Sequence, residues 1–208
     1  MKRPKHLRPY VGSLNPKDAA IGMQIARLNA LSLLEAAEEL FNFKKYALTT
    51  VLSILAIEEA AKVAIIFSIL LSDDSREIEK MWKKYRTHTA KGSIYPYAIS
   101  WVIYTHHPKG RNKKLQEMVT NRTPRPETME FIKQLMLYSD CFTDKVWTLP
   151  KDQANRKKAK FMLGDARAMI LQLRDYLPEE LTIWKQHLYG VNRMLPQERK
   201  SAFNALHR

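Results

Sequence analysis

The segment LAIEEAAKVAII, residues 55–66, places three charged residues inside sequence that is otherwise apolar or alanine. Glu58 precedes Lys62 by four residues, which is the favoured order for an ion pair along a helix, and Glu59 lies beside them. On an exposed helix such a pair contributes only about 0.3–0.5 kcal/mol. Inside a protein, charges cost several kcal/mol each unless they are paired and hydrogen-bonded. Because the surrounding sequence predicts burial, we expect these charges to have partners and to serve specificity or function.

A later segment supplies groups that can meet these charges. His88 and Lys91 lie three residues apart, and therefore on one face of a helix. An antiparallel helix pair brings this segment back along the charged helix, where Glu59 needs a donor. We therefore predict a polar cluster of Glu58, Glu59, Lys62, His88 and Lys91. Three interpretations stay open: a structural ion network that fixes helix register, a ligand or catalytic site, or groups that never meet.

Positive charge dominates the composition. Lys and Arg outnumber Asp and Glu by 35 to 21, for a formal net charge of +14. Such a surplus favours encounter with RNA, DNA, ribosomes or an acidic protein. Without interleaved aromatic residues, the basic segments do not predict stacking on single-stranded nucleic acid. Phosphate or partner contact, with solvated charge as the alternative, is predicted for Lys109, Arg111, Lys113, Lys114, Arg122, Arg125, Arg156, Lys157 and Lys158.

Motifs of several enzyme classes do not occur in the sequence. It contains no glycine-rich phosphate loop, nucleophile elbow, dinucleotide fingerprint or HExxH motif. The adjacent pair His106 and His107 has no carboxylate or cysteine at ligand spacing, so we expect a surface pair. We therefore predict no metal and no cofactor.

Cysteine usage and hydropathy indicate the compartment. The single cysteine, Cys141, cannot form an internal disulfide and fits a reducing environment. The basic start MKRPKHLRPY leads into polar residues, so we expect no secretory signal. The longest apolar run, residues 47–71, contains charges that a membrane-spanning helix tolerates poorly. We expect a cytoplasmic protein with no membrane contact.

Glycine content and periodicity indicate an all-α protein. The chain has six glycines in 208 residues and few β-branched runs. We predict one domain over residues 1–208, an up-and-down bundle of about five to seven helices, with Asn15 and Pro16 starting the first. Residues 139–150 are predicted as a connection anchored by Phe142 and Trp147, and residues 106–126 as a loop. Predicted helices cover residues 16–43, 47–71, 75–91, 95–104, 127–138 and 151–176, one from 178 to about 190, and a terminal one within 196–208.

Three stretches in order carry a resemblance to a known family. They are ALSLLEAAEELFNFKKYALTTVLSILAIEEAAKVAII, then HTAK, then LYSDCFTDKVWTLP. Together they resemble the AbiV family of bacterial abortive-infection proteins, in which an EE-x-x-K helix is followed by an H-x-x-K segment and later by a Leu-Tyr connection that ends in a Trp-x-x-Pro-like turn. The resemblance covers about residues 28–174, and leaves a basic N-terminal segment, 1–15, and a C-terminal helical extension, 178–208, outside it.

The resemblance implies a compact helical bundle of the HEPN superfamily, whose members often dimerise. It implies phage defence, in which an infected cell stops supporting phage growth. We therefore expect an abortive-infection protein, acting as a basic homodimer that binds a phage protein or the RNA and translation machinery. A structural helical interaction module without a site remains an alternative.

A metal-independent ribonuclease is a further alternative, because many HEPN proteins cleave RNA. Their signature is an Arg followed after four to six residues by a His, and this sequence has no such pair. Lys83 and His88 have the spacing, but lysine cannot give phosphate the same bidentate contact. In a nuclease, His88 would be the general acid or base, and Lys83, Arg86 or Lys91 would stabilise charge.

Overall fold

A computed structural model describes residues 8–87 and 126–192. For residues 126, 144 and 188–192 it describes the backbone and not the side chains. The helix predicted at 95–104, the loop at 106–126 and the terminal helix after 196 therefore lie wholly or almost wholly outside the described residues. So do the first seven residues and the His106–His107 pair.

Three helices form the first half of the fold. Helix α1 spans Pro16–Asn42, α2 spans Tyr46–Leu71 and α3 spans Ser75–Arg86. As predicted, Asn15 caps α1, and its side-chain oxygen accepts from the backbone N–H of Asp18 at 2.9 Å. Asp74 caps α3 in the same way, accepting from the backbone N–H of Arg76. The sequence prediction carried α3 to about residue 91, whereas the helix ends at Arg86 because Thr87 turns to extended backbone.

Helix α2 is the central element of the bundle. It is apolar around most of its circumference, and α1, α3 and α4 (Pro126–Leu137) all pack against it. Small residues line the contact with α1 and allow the two helices to approach closely, so that a Cβ on Gly22 would lie 3.3 Å from Ile66. Buried alanines at this contact include Ala30, Ala56 and Ala60. A helix enclosed in this way must find protein partners for any charge it carries.

The second half contains a short hairpin that the sequence did not predict. Strand β1 spans Asp140–Phe142 and β2 spans Val146–Thr148, and they pair antiparallel. The segment was predicted as a connection anchored by two aromatic residues, but Trp147 is 76% exposed and anchors nothing in the core. Three-residue strands are too short to give a recognisable alternation of apolar and polar residues.

The helix predicted over 151–176 is divided. Helix α5 spans Pro150–Gln153 and α6 spans Arg156–Ile170. The break occurs because Ala154 and Asn155 are extended and Asn155 caps a new helix, accepting from the backbone N–H of Lys158 at 2.9 Å. The core that α6 joins is contributed by α1, α2 and α4.

The last described helix, α7, spans Pro178–Asn192 and begins at the predicted proline. It runs through Gly190, which was predicted to end it. The described residues thus form seven α-helices and one two-stranded sheet, which confirms the predicted all-α class. Within these residues, no helix is both long enough and apolar enough to cross a bilayer.

Candidate functional site

A buried ion pair joins α2 to α4. The Nζ atom of Lys133 donates to Oε1 of Glu58 at 2.9 Å. The two residues are 5% and 4% exposed, so the contact is almost sealed from water. Seventy-five positions of sequence separate the partners, and the pair therefore fixes how α4 lies against the central helix.

A second carboxylate also contacts Lys133. Glu130, one turn earlier on α4, places Oε2 at 2.7 Å from the same ammonium. Burial alone lowers the pKa of a lysine, but hydrogen bonds and the negative charges of Glu130 and Glu58 outweigh that effect and raise the pKa of Lys133 above 10.5. Lys133 therefore stays an ammonium at neutral pH, which suits a fixed positive charge and not a general base.

Glu59, the residue after Glu58, forms a separate pair with Lys62 on the same helix. Lys62 Nζ lies 2.6 Å from Oε1 of Glu59, and Asn29 of α1 donates to Oε2 at 2.9 Å. The ring of Tyr85 on α3 lies 5.0 Å from the same ammonium, within the range of a cation–π contact. Lys62 thus pairs with Glu59, three residues before it, and not with Glu58 as the four-residue spacing predicted.

The two pairs hold different neighbours of α2. Glu58 faces α4, whereas Glu59 and Lys62 face α1 and α3. Each of the three helices thereby receives one directional polar contact in addition to its apolar packing. Since hydrophobic contacts are not directional, such polar contacts fix register and rotation.

Comparison of the sequence with models of known families identifies the family of the chain. The chain matches the family model HEPN_AbiV, described as AbiV, over residues 18–170. The protein belongs to the AbiV family. The match covers most of the chain and confirms the resemblance noted over residues 28–174. No curated protein and no solved structure gives a significant match.

Two of the catalytic candidates in this AbiV-family protein lie on α3. The guanidinium of Arg86 donates to the backbone carbonyls of Tyr10 and Trp82 and lies 5.1 Å from the indole ring of Trp82. Trp82 in turn donates to the carbonyl of Gly12 at 2.8 Å. These contacts fasten residues 10–12 to α3. Lys83 is exposed on the same helix, and His88 and Lys91 lie outside the described residues.

The structure describes three of the basic residues that were predicted to contact nucleic acid or a partner. Arg156, Lys157 and Lys158 form the exposed first turn of α6. The remaining candidates lie outside the part of the chain that the structure describes: Lys109, Arg111, Lys113, Lys114, Arg122 and Arg125. Across residues 8–87 and 126–192, no group of three or more His, Cys, Asp or Glu side chains has the geometry to hold a metal ion.

The predicted polar cluster did not include Lys133, the residue that pairs with Glu58. Its signal is the spacing of Met129, Lys133 and Met136, which places the lysine on the apolar stripe of α4. Both methionines are buried with it. A lone lysine on such a stripe requires a buried acid on the facing helix, and Glu58 supplies it.

Proposed function

We propose that this AbiV-family protein is an abortive-infection protein that acts by binding a macromolecular partner, and that the charges of α2 hold the bundle in its binding shape. Its main support is the family match over residues 18–170, since AbiV proteins are abortive-infection proteins. The partner is a phage protein or a component of the RNA and translation machinery. We place the protein in the cytoplasm as a homodimer.

The electrostatics of the two ion pairs support a positioning role. Lys133 is held as a cation by two carboxylates, and Lys62 is held by Glu59. A general acid or base works best with a pKa near the working pH, and the raised pKa of Lys133 is far from that range. Paired, buried charges instead give the packing of three helices a defined geometry.

The charge of the whole chain supports binding to an acidic surface. A net charge of +14 accelerates encounter with negatively charged partners and makes that encounter sensitive to salt. Exposed aromatic residues among the described helices and the hairpin provide apolar area for a specific contact.

The experiment is phage challenge of bacteria that carry the gene on an inducible plasmid. We expect fewer plaques and smaller bursts than with an empty plasmid, and the tagged protein should retain a defined protein or RNA from infected cells. A strain without resistance at confirmed expression would contradict the proposal.

An RNA incubation separates binding from ribonuclease action. Purified protein in EDTA is mixed with labelled total RNA, beside a His88→Ala variant of matched circular dichroism. We expect intact RNA with both proteins. Cleavage by the wild type that His88→Ala abolishes would replace the binding proposal with the nuclease.

A further inference from the structure

We propose that the outer face of α6 binds single-stranded nucleic acid. This face consists of four exposed residues on one helix: Lys157, Lys160, Phe161 and Gly164. The inference rests on the proposed function, because it names a surface and a class of partner for the same binding role.

Helical spacing places the four residues side by side. Lys157, Phe161 and Gly164 follow one another at intervals of four and three residues, and Lys160 precedes Gly164 by four. The opposite side of α6 is buried in the bundle and carries Ala159, Met162, Leu163, Ala166, Met169 and Ile170. The outer face is therefore one continuous surface that is turned towards solvent.

Gly164 is a mid-helix glycine that the packing of the described residues does not require. Glycine is less stable than alanine at such a position, because its backbone loses more conformational freedom. Among the described residues, a Cβ on Gly164 would have no heavy atom within 4 Å, whereas a Cβ on Gly22 would lie 3.3 Å from Ile66. No described glycine has a positive φ. What Gly164 provides is bare backbone on an exposed face, which a ligand chain can approach closely.

The charge of α6 favours an anionic ligand. The helix carries five basic residues and one acidic residue, Asp165. Arg167 donates twice to Oε1 of Glu38 on α1, at 3.0 and 2.6 Å, so its charge is balanced at the edge of the face. Within the described residues, no ion pair includes Lys157 or Lys160. These two ammonium groups are therefore available to phosphates beside Gly164.

Phe161 favours nucleic acid among the possible anions. The basic segment that ends at Lys160 contains no aromatic residue, but Phe161 follows it directly and lies one turn from Lys157. Within α6, all of whose residues are described, Phe161 is the single exposed large apolar side chain, at 47%. Cations that follow a phosphate backbone, together with an aromatic ring on which a base stacks, are the elements of single-strand binding surfaces.

The same residues disfavour other anionic partners. The bases of a duplex are stacked on one another, so the ring of Phe161 cannot stack on them. A membrane surface or a folded protein needs a wider apolar area than one ring provides. A second copy of the chain would bring its own lysines to Lys157 and Lys160, and contact between like charges is unfavourable.

Fluorescence anisotropy of labelled oligo(U) and oligo(dT) against the full-length protein tests the inference, and the two probes compare RNA with DNA. A duplex of the same length, a poly-Glu peptide and anionic lipid vesicles are the competing probes. The variants are Phe161→Ala, Gly164→Ala, Gly164→Leu and the double change Lys157→Ala, Lys160→Ala.

Two control variants match these changes elsewhere on the surface. Phe43→Ala removes a phenylalanine that is 74% exposed at the end of α1. The double change Lys80→Ala, Lys84→Ala removes two exposed lysines of α3, and so lowers the net charge as much as the α6 double change does. Circular dichroism and Tm establish that every variant is folded.

We expect Phe161→Ala to weaken binding of the single strand about fivefold or more. The α6 double change should reduce the slope of log K against log salt by about 1.4, since each phosphate contact on a single strand contributes about 0.7. Gly164→Ala should raise Tm. Gly164→Leu should fold as stably as the wild type yet lose at least as much affinity as Phe161→Ala, because its side chain covers the bare backbone. Both controls should bind like the wild type.

Other results would overturn the inference. Unchanged affinity with Phe161→Ala or with Gly164→Leu would exclude the outer face of α6 as the binding surface. An equal loss with the α3 double change would show that net charge alone attracts the strand. Tighter binding of the duplex, the poly-Glu peptide or the vesicles would show that the partner belongs to another class.

Phage challenge distinguishes failure of this inference from failure of the proposed function. If the wild type gives resistance and the purified protein binds no oligonucleotide, the inference fails and the proposed function stands. If oligonucleotides bind through Phe161 and the wild type gives no resistance at confirmed expression, the proposed function fails. The expected result is loss of resistance with Phe161→Ala and full resistance with Phe43→Ala, and equal resistance of the two variants would overturn a role of this face in defence.

Discussion

Lys133 on α4 and Glu58 on α2 meet at 2.9 Å inside the bundle, each almost completely buried. The buried Met129 and Met136 turn one face of α4 towards the central helix, and this pair adds the directional contact that fixes the register of the two helices. Helix α4 ends at Leu137 and strand β1 begins at Asp140, and Phe131 on the exposed side of α4 contacts Phe142 of the hairpin. The contact between Lys133 and Glu58 therefore also helps to position the hairpin on the surface.

Removing one partner of this pair should be far more damaging than removing both. We expect Lys133→Met to lower the free energy of unfolding by about 3–5 kcal/mol, because the buried carboxylate of Glu58 loses the ammonium that donates to it at 2.9 Å. The double change Glu58→Leu, Lys133→Met should lose clearly less than Lys133→Met alone. Urea unfolding followed by circular dichroism measures both, and a loss below about 0.5 kcal/mol for Lys133→Met would contradict the buried pair.

The same lysine gives an alkaline pH dependence. Its folded pKa is raised above the unfolded value of 10.5, so its contribution to stability is complete below about pH 10.5 and is lost as pH rises through the folded pKa. The difference in unfolding free energy between the wild type and Lys133→Met should therefore be constant from pH 7 to about 10 and shrink above that. A difference that keeps its size to pH 11.5 would be inconsistent with the raised pKa.

Glu180 at the start of α7 gives the opposite, acidic dependence. Its carboxylate accepts from Arg174 at 3.0 Å and from the backbone N–H of Leu177 at 3.1 Å, which lowers its pKa below 4.5. Its contribution is present above pH 4.5 and is lost as pH falls through the folded pKa. We expect Glu180→Gln to lower Tm at pH 7 and to match the wild type at strongly acidic pH. Glu179→Gln, an exposed neighbour, is the control and should leave Tm unchanged.

Lys44 occupies a backbone conformation that favours glycine. Its φ is 60°, and the N–H groups of Lys44 and Lys45 close the end of α1 on the carbonyls of Phe41 and Leu40. We expect Lys44→Gly to raise the free energy of unfolding by about 0.5–1 kcal/mol, because it removes the strain of a side chain at positive φ. Lys45→Gly, at a φ of −85°, should not stabilise, and equal stabilisation by both changes would refute this explanation.

Local signals in the sequence predicted most of the helical framework. Asn15 with Pro16 located the start of α1, and the apolar run located α2, because capping and periodicity act within a few residues. The divided helix at Asn155 was missed, since its side-chain cap competes with a helix that propensity alone would continue.

The site was only half visible in the sequence. The apolar run around them predicts the burial of Glu58 and the partial burial of Glu59, and both carry ion pairs. Which cation meets which acid depends on the packing of helices that are far apart in the chain. Lys133 could be recognised as a core position of α4, but only the three-dimensional arrangement joins it to Glu58.

Phage resistance of a folded protein without the buried pair is the most direct test of the positioning role. The double variant Glu58→Leu, Lys133→Met is expressed at wild-type abundance, and its plaque counts are compared with those of wild type and of Ile25→Ser, a change at an exposed position of α1. Because the pair fixes the register of α4 against α2, we predict that the double variant loses resistance while Ile25→Ser keeps it. A double variant that unfolds like the wild type and keeps full resistance would contradict the positioning role.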